Sequence, residues 1–388
     1  MLKTIVAYTY EIDDVDAAVS EILEQLDIQS NLKKNSVGIV ACHCEFVFSG
    51  VFKAVCDALP FDVSGTITSA QAVENDLGTL MFTIMVITSE TDEFCTKITA
   101  KFEDNPYGEV EKCYDEAAGL RPNKKPGLAF MFGPFIPENS GDGYMKALSQ
   151  KAGDVPIFGT LAIGETEDFS NCFMLYNGES YDDSIALVLI YADISPVFFI
   201  ANISESKILG KSALITKSNG NVLNELNGRP ASEYFKELGL AEVTGATYAM
   251  SSLPFMLDYD DGTDPVAKVL VGFTPDGDII CAGDMPEGTN VRVGVFDKAD
   301  VLFTTGNALK DMAKEFEGRS GMLAYSCISR SMTLGGEMFA ELELVTKELN
   351  GEIPFMIAYS GGEVCPTNTK EKRNTNRFHN NAFIACIF

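Results

Sequence analysis

One pattern recurs three times along the chain, and it constrains the fold more than any bulk property does. The first copy begins at Val37 with the apolar run VGIVAC. An amphipathic stretch over residues 49–59 follows, with Phe48, Phe52, Val55 and Leu59 at helical spacing, then VSGTITSA and an apolar run over 79–88. The second copy begins at Gly127 with LAFMF, has a helical stretch over 144–151, and continues with PIFGTLAIGE and IALVLIY. The third begins at Gly321 with MLAYSCISR. It continues with a helix in which Met338, Leu342, Val345 and Leu349 share one face, then PFMIAYSGGE and AFIACIF. The order is the same each time: buried strand, loop, helix, a strand ending in a small-residue turn, and a closing hydrophobic strand. Strands this uniformly apolar are covered on both faces. Their alternation with helices implies βαβ crossovers.

Other segments fit around these units. TIVAYT reads as a first strand, followed by a helix capped by Asp13 or Asp14 with Ala18, Val19, Ile22, Leu23 and Leu26 facing inward. VLVGF-TPDG-DIICAG is a hairpin, because Pro-Asp-Gly presets its turn. A strand over 291–296, a helical face of Leu309, Met312, Ala313 and Phe316, and a short helix from Pro230 to near Gly239 complete the reading. At 388 residues the chain is too long for one ordinary domain. The polar stretch over 200–221 marks the boundary. The expectation is an α/β protein of two domains, residues 1–203 with two of the repeated units and 204–388 with the hairpin region and the third. Both are built from βαβ-type units with mixed sheets, and the C-terminal half adds an antiparallel hairpin.

Composition excludes several functions. Lys+Arg number 29 against 56 Asp+Glu, a net charge of -27. That field repels nucleic acid and anionic membranes, so neither is expected as a partner. The N-terminus lacks the basic and apolar segments of a signal peptide. The most apolar stretch, 184–203, is broken by Asp193 and Pro196 and reads as two strands rather than a membrane span. A cytoplasmic location is expected. The ten Cys are scattered with no CxxC, and only two His exist, His43 and His379, so no metal site is expected. Alternation along a strand puts Cys42 and Cys44 on one face and His43 on the other, which disfavours chelation of one ion.

The candidate chemistry lies where the strands of the third unit end, since open α/β sheets bind ligands beyond the carboxyl ends of their strands. Those ends carry Ser326, Cys327 and Arg330 after one strand and Ser360, Gly361, Gly362 and Glu363 after the next. Arg330 offers a planar fork for a carboxylate, Glu363 a counter-charge for an amine, and the two glycines a close approach to the backbone. Together they suit a small zwitterion such as an amino acid. The competing reading is an Arg330–Glu363 pair that holds two loops together, and the residues leave both standing. Gly164 and Glu165 occupy the same place in the second unit, so the Gly-Glu turn also has a structural reading. His379 and Asn380 precede the last strand; His379 reads as a structural residue, a ligand contact or a haem ligand, with His43 the other haem candidate. Cys327 is a conceivable nucleophile with His379, but no nucleophile elbow and no helix N-terminus is visible behind it.

In the order of its motifs the chain resembles the FIST family, FIST N followed by FIST C. The N-terminal half carries DDVDAAVSEILEQL, SVGIVACHC, SGTITSAQ and PIFGTLAIGE; the C-terminal half carries VLNELNGRPASEYFKELG, GDIICAGDMPEGTNVRVG, YSCISR, YSGGEV and FHNNAF. The resemblance implies sensing rather than catalysis: a small ligand, with amino acids proposed for the family, and a signal passed to a separate partner. It implies no catalytic residues and no required cofactor, although some members bind haem. Asn224, Asn227 and Tyr234 are further positions within the resembling segments. The first unit departs from the pattern, with Ser69-Ala70-Gln71 where Gly-Glu is usual. No output domain follows Phe388, so a stand-alone binder or sensor is expected.

Overall fold

The protein is described here by a computed structural model covering residues 2–136, 139–164, 170–240, 252–368 and 374–388. Its backbone ladders form three six-stranded mixed sheets, one for each repeated unit, and a fourth, eight-stranded sheet. Each unit opens with an outer strand and a helix. Two parallel strands joined by a helical crossover follow, then a hairpin, then a closing strand antiparallel to the first of the parallel pair.

In the first unit the outer strand is Lys3–Thr9 and its helix Val15–Leu26. The parallel strands are Asn35–Cys42 and Val63–Ile67, crossed over by helix Val51–Ala58. The hairpin is Gln71–Val73 with Asp76–Gly78, and the closing strand is Phe82–Ser89. The second unit repeats this with Phe94–Ile98, helix Pro106–Gly119, parallel strands Leu128–Gly133 and Ile157–Leu161, and crossover helix Gly141–Ala152. Its hairpin is Met174–Tyr176 with Glu179–Tyr181, and its closing strand Ala186–Ile190. The third unit has outer strand Val197–Ala201, helix Lys298–Met312, and parallel strands Met322–Cys327 and Phe355–Ser360. Helices Ile328–Leu334 and Ala340–Leu349 cross over. Its hairpin is Glu363–Asn368 with Asn374–His379, and Phe383–Ile387 closes the chain.

The hairpins do not stay home. The first unit's hairpin pairs with Phe355–Ser360 of the third (Ala358 opposite Gln71). The second unit's pairs with Val63–Ile67 of the first (Leu175 opposite Gly65), and the third's with Ile157–Leu161 of the second (Glu363 opposite Thr160). Each unit thus extends the sheet of another, and the three close into a ring.

This arrangement explains the uniformly apolar strands. Alternate residues point to opposite faces, and both faces are buried. Ile39, Phe130, Phe158, Tyr325 and Ile384 meet in one core shared by all three sheets. The residues between them, such as Val40, Met131 and Ala324, pack against each unit's own helices. In the shared core the rings of Phe158 and Tyr325 lie 6.0 Å apart, as do those of Phe130 and Phe388.

The fourth sheet lies inside the third unit's sequence, between Val197–Ala201 and Lys298–Met312, and has a core of its own around Leu223, Phe235, Phe255 and Val291. We call it the inserted sheet. It includes the expected hairpin, Leu270–Phe273 with Ile279–Cys281. The apolar stretch over 184–203 is indeed two strands.

Three helices differ from the sequence reading. Lys298–Met312 starts well before the face at Leu309, with Asp297 capping it by accepting from the Asp300 N–H. Its Thr304-Thr305-Gly306 segment is poor in helix formers and hides the period. Pro106–Gly119 was not anticipated, although Asn105 accepting from the Gly108 N–H and proline in the first turn are ordinary start signals. Ile328–Leu334 begins directly after Cys327, where no helix N-terminus was visible.

Candidate functional site

The strand-end residues of the third unit come together as two networks, around Glu341 and around Glu363, which touch where Ser360 Oγ donates to the Ser326 carbonyl at 3.4 Å. Arg330 is fully buried and its carboxylate partner is Glu341, not Glu363. Its Nε and Nη2 reach Glu341 Oε1 at 2.9 and 2.8 Å. Nη2 also donates to Thr305 Oγ1 at 2.8 Å and the Val301 carbonyl at 3.1 Å, and Nη1 to the carbonyls of Ala201 and Asn381 at 3.4 and 3.5 Å. The guanidinium lies 5.2 Å from the Phe296 ring centroid. Glu341 in turn accepts from Ser326 Oγ at 2.6 Å. Every nitrogen of the fork is therefore spent on holding the outer strand, two helices and the approach to the last strand together. The Arg330–Glu363 pair of the competing reading does not form.

The second network surrounds Glu363. Ser360 Oγ donates to its Oε1 at 3.0 Å, while Oε2 has no partner among the described residues. Burial pushes this carboxyl well above the usual carboxylate range, against the pull of Ser360, Cys327 and the Ala382 N–H. Burial thus biases Glu363 toward the neutral acid rather than a standing counter-charge. Opposite it in the ladder sits His379. Its Nε2 lies 3.1 Å from the Cys365 carbonyl, and burial lowers it to about 3, so the ring is neutral. His379 Nδ1 and Asn380 Oδ1 also lack partners among the described residues. Cys327 receives a bond from Ser329 Oγ at 3.1 Å, and burial, with the nearby Glu363, raises its thiol to about 12. It is protonated despite standing at a helix start.

Gly361 and Gly362 serve the fold. The Gly361 N–H bonds the Leu161 carbonyl at 2.9 Å and the Leu161 N–H bonds the Gly362 carbonyl at 3.0 Å. A Cβ on Gly361 would lie 2.4 Å from the Ala162 carbonyl oxygen. The close approach is to the second unit's backbone. Glu165 lies outside the described residues. Asn224 bonds Asp278, Asn227 caps the Leu214 N–H from a left-handed turn, and Tyr234 bonds the Lys211 carbonyl, all within the inserted sheet.

Neither histidine fits a haem. His379 is 1% exposed with Nε2 engaged, and His43 is buried with Nδ1 accepting from the Glu45 N–H. Strand Asn35–Cys42 ends at Cys42, and no group of three metal-ligating side chains occurs among the described residues.

Open space lies elsewhere. A cleft of about 750 Å³ separates helix Gly141–Ala152 and the strand Asn374–His379 from the inserted sheet. Its walls carry Asp142, Lys146, Ser149, Tyr259, Asp284 and Arg377. Arg377 pairs through Nη2 with Asp261 and stacks 4.1 Å over the Tyr259 ring, but its buried Nε has no partner among the described residues. The Asp284 carboxylate and the exposed Lys146 form no ion pair among the described residues. Behind this surface Lys268, fully buried, donates to both Asp142 oxygens at 2.9 and 2.7 Å and to the Phe378 carbonyl at 2.9 Å. Sequence reasoning missed Arg377 and Asp284, although Asp284 lies in the GDIICAGDMPEGTNVRVG segment it singled out and Arg377 immediately precedes FHNNAF. Nothing in the sequence places those two segments across one cleft.

Comparison with known families settles the resemblance. The FIST N domain model matches residues 36–229 and the FIST C domain model matches 231–366. The chain belongs to the FIST family. FIST domains are sensory domains that bind small ligands. None of the curated proteins matches the chain. Among solved structures, a phosphoribosylformylglycinamidine synthase II from Thermotoga maritima aligns at 7% identity over 100% of this chain and 72% of that one. Its TM-score of 0.19 carries no argument about fold or function. No helix among the described residues is long and apolar enough to cross a membrane.

Proposed function

We propose that this FIST protein senses a small zwitterionic metabolite, an amino acid or a close relative, bound in the cleft between the ring and the inserted sheet. The observation that carries this reading is the opposite charge of its two walls: Arg377 on the third unit's hairpin and, on the inserted sheet, Asp284, whose carboxylate forms no ion pair among the described residues. An arginine edge suits a carboxylate and a lone carboxylate suits an ammonium. Lys146 adds a second cation on the ring side, and Tyr259, Met145 and Met285 supply apolar surface for a side chain. The buried strand-end network of Glu363, His379 and Asn380 stands behind the same hairpin and supports it.

The test is a dye-based thermal-shift screen of the proteinogenic L-amino acids, each beside its N-acetyl and its amide derivative. A ligand at about 100 times its Kd adds roughly 2.7 kcal/mol. The expected result is a rise with one chemical class of amino acid that either blocking group removes. Arg377→Ala and Asp284→Asn should each weaken binding by about tenfold or more, since a charge-assisted hydrogen bond contributes roughly 1.5–3 kcal/mol. Equal response to the blocked derivatives would sink the zwitterion reading.

A further inference from the structure

The two charged walls of the cleft are tied to one buried point. Asp142 Oδ2, besides its bond from Lys268, accepts the backbone N–H of Asp284 at 2.8 Å. Lys268 holds the Phe378 carbonyl, one residue from Arg377, and lies 5.1 Å from the Phe378 ring centroid. Gly283 lets the inserted sheet come this close: a Cβ there would lie 2.5 Å from Asp142 Oδ2 and 2.8 Å from Lys268 Nζ. Nearby, the Asn380 N–H bonds the Ala267 carbonyl at 3.2 Å. Four chain segments therefore meet at two charges: strand Val266–Lys268 and the 283–284 turn of the inserted sheet, the first turn of helix Gly141–Ala152, and the end of strand Asn374–His379.

Three observations make this more than an ion pair at a contact. All three ammonium protons have acceptors, so the geometry is fully specified. Each partner lies on a different part of the ring or leads directly to a cleft residue. And the pair is the floor of the cleft, since Asp142 itself faces the open volume. We propose that Lys268 and Asp142 are the positioning residues of the cleft, setting the spacing of Asp284 and Arg377 and coupling the inserted sheet to the ring. This rests on the ligand reading above for its function but not for its geometry. A zwitterion bridging Asp284 and Arg377 would add a second tie between the two bodies that Lys268 and Asp142 already join. Occupancy would then be felt as tighter docking of the inserted sheet.

The test replaces both charges at once with Lys268→Met and Asp142→Leu, because removing either alone strands a buried charge and risks unfolding. Two readouts are taken. In ligand-free protein, non-natural spin-labelled residues at exposed Gln150 and Glu287 report the width of the cleft. In the second, an equimolar mixture of L-amino acids is titrated against wild type and the double variant. The expected result is a thermal midpoint near wild type, a broadened distance distribution, and an amino-acid affinity at least tenfold weaker. A folded double variant with an unchanged distance distribution would overturn the proposal, because the pair would then only fill space. If wild type itself ignores amino acids, the ligand reading fails while the distance measurement still decides the positioning role.

Discussion

Glu363 makes the sharpest test of the electrostatics inside the ring. Its carboxyl is buried, has one oxygen without a partner among the described residues, and is held well above the ordinary carboxylate range by burial. In the unfolded chain the same group ionises in the ordinary range. Below that range both states are protonated, and Glu363 contributes no pH dependence. As pH rises above it, the unfolded state releases the proton and the folded state keeps it. Folding is then penalised by about 1.4 kcal/mol for each pH unit, until the folded group itself titrates. Replacement by glutamine removes the titration and keeps the shape. The first unit shows that the fold accepts this: Gln71 begins the equivalent hairpin and takes a bond from Thr68 Oγ1 at 2.8 Å, as Glu363 does from Ser360. The expected result is that Glu363→Gln gains stability over wild type as pH rises through and above the ordinary carboxylate range, up to the point where the folded Glu363 itself titrates. Urea melts of both proteins across that range measure it. A stability difference that stays constant with pH would refute the reasoning, because Glu363 would then be ionised in both states or neutral in both.

Two further outcomes follow from the same networks. Arg330→Ala leaves Glu341 buried with an uncompensated charge and should cost about 3–5 kcal/mol in denaturant melts; a loss below about 1 kcal/mol would mean that the network is not an ionised pair. Native protein should react slowly with iodoacetamide at Cys327, because its thiol is buried and raised to about 12. Rapid, selective alkylation of that residue, read by peptide mass spectrometry, would reopen the nucleophile reading.

The repeat was legible because its signal is local. Each copy carries apolar runs covered on both faces and a helix between them, and those features survive in LAFMF, MLAYSC and AFIACIF. What was not legible is the exchange of hairpins. The hairpin strands Gln71–Val73, Met174–Tyr176 and Glu363–Asn368 each pair with a strand of another unit. Pairing partners in a sheet are a long-range property, and nothing in a short run distinguishes a hairpin that folds home from one that crosses. The candidate site suffered from the same limit. Arg330 and Glu363 stand at strand ends as expected, but the choice between Glu341 and Glu363 as the arginine's partner depended on where helix Ala340–Leu349 turned its face.

The exchange also accounts for the place of the cleft. The third unit's hairpin lies on the second unit's sheet, beside helix Gly141–Ala152, because the ring closes there. The inserted sheet departs from the third unit's outer strand and returns into its helix, so its two connections are anchored on that unit. Lys268 nevertheless reaches across to the helix of the second. An insertion anchored on one unit and braced against another spans a seam of the ring, and the seam is where polar side chains of different segments meet, Lys268 with Asp142 and Arg377 with Asp261. Within a unit, the same groups would be buried between a sheet and its helices and forced to satisfy one another, as Arg330 and Glu341 are. The seam therefore places Arg377 and Asp284 on facing walls of the cleft while the units remain tightly packed.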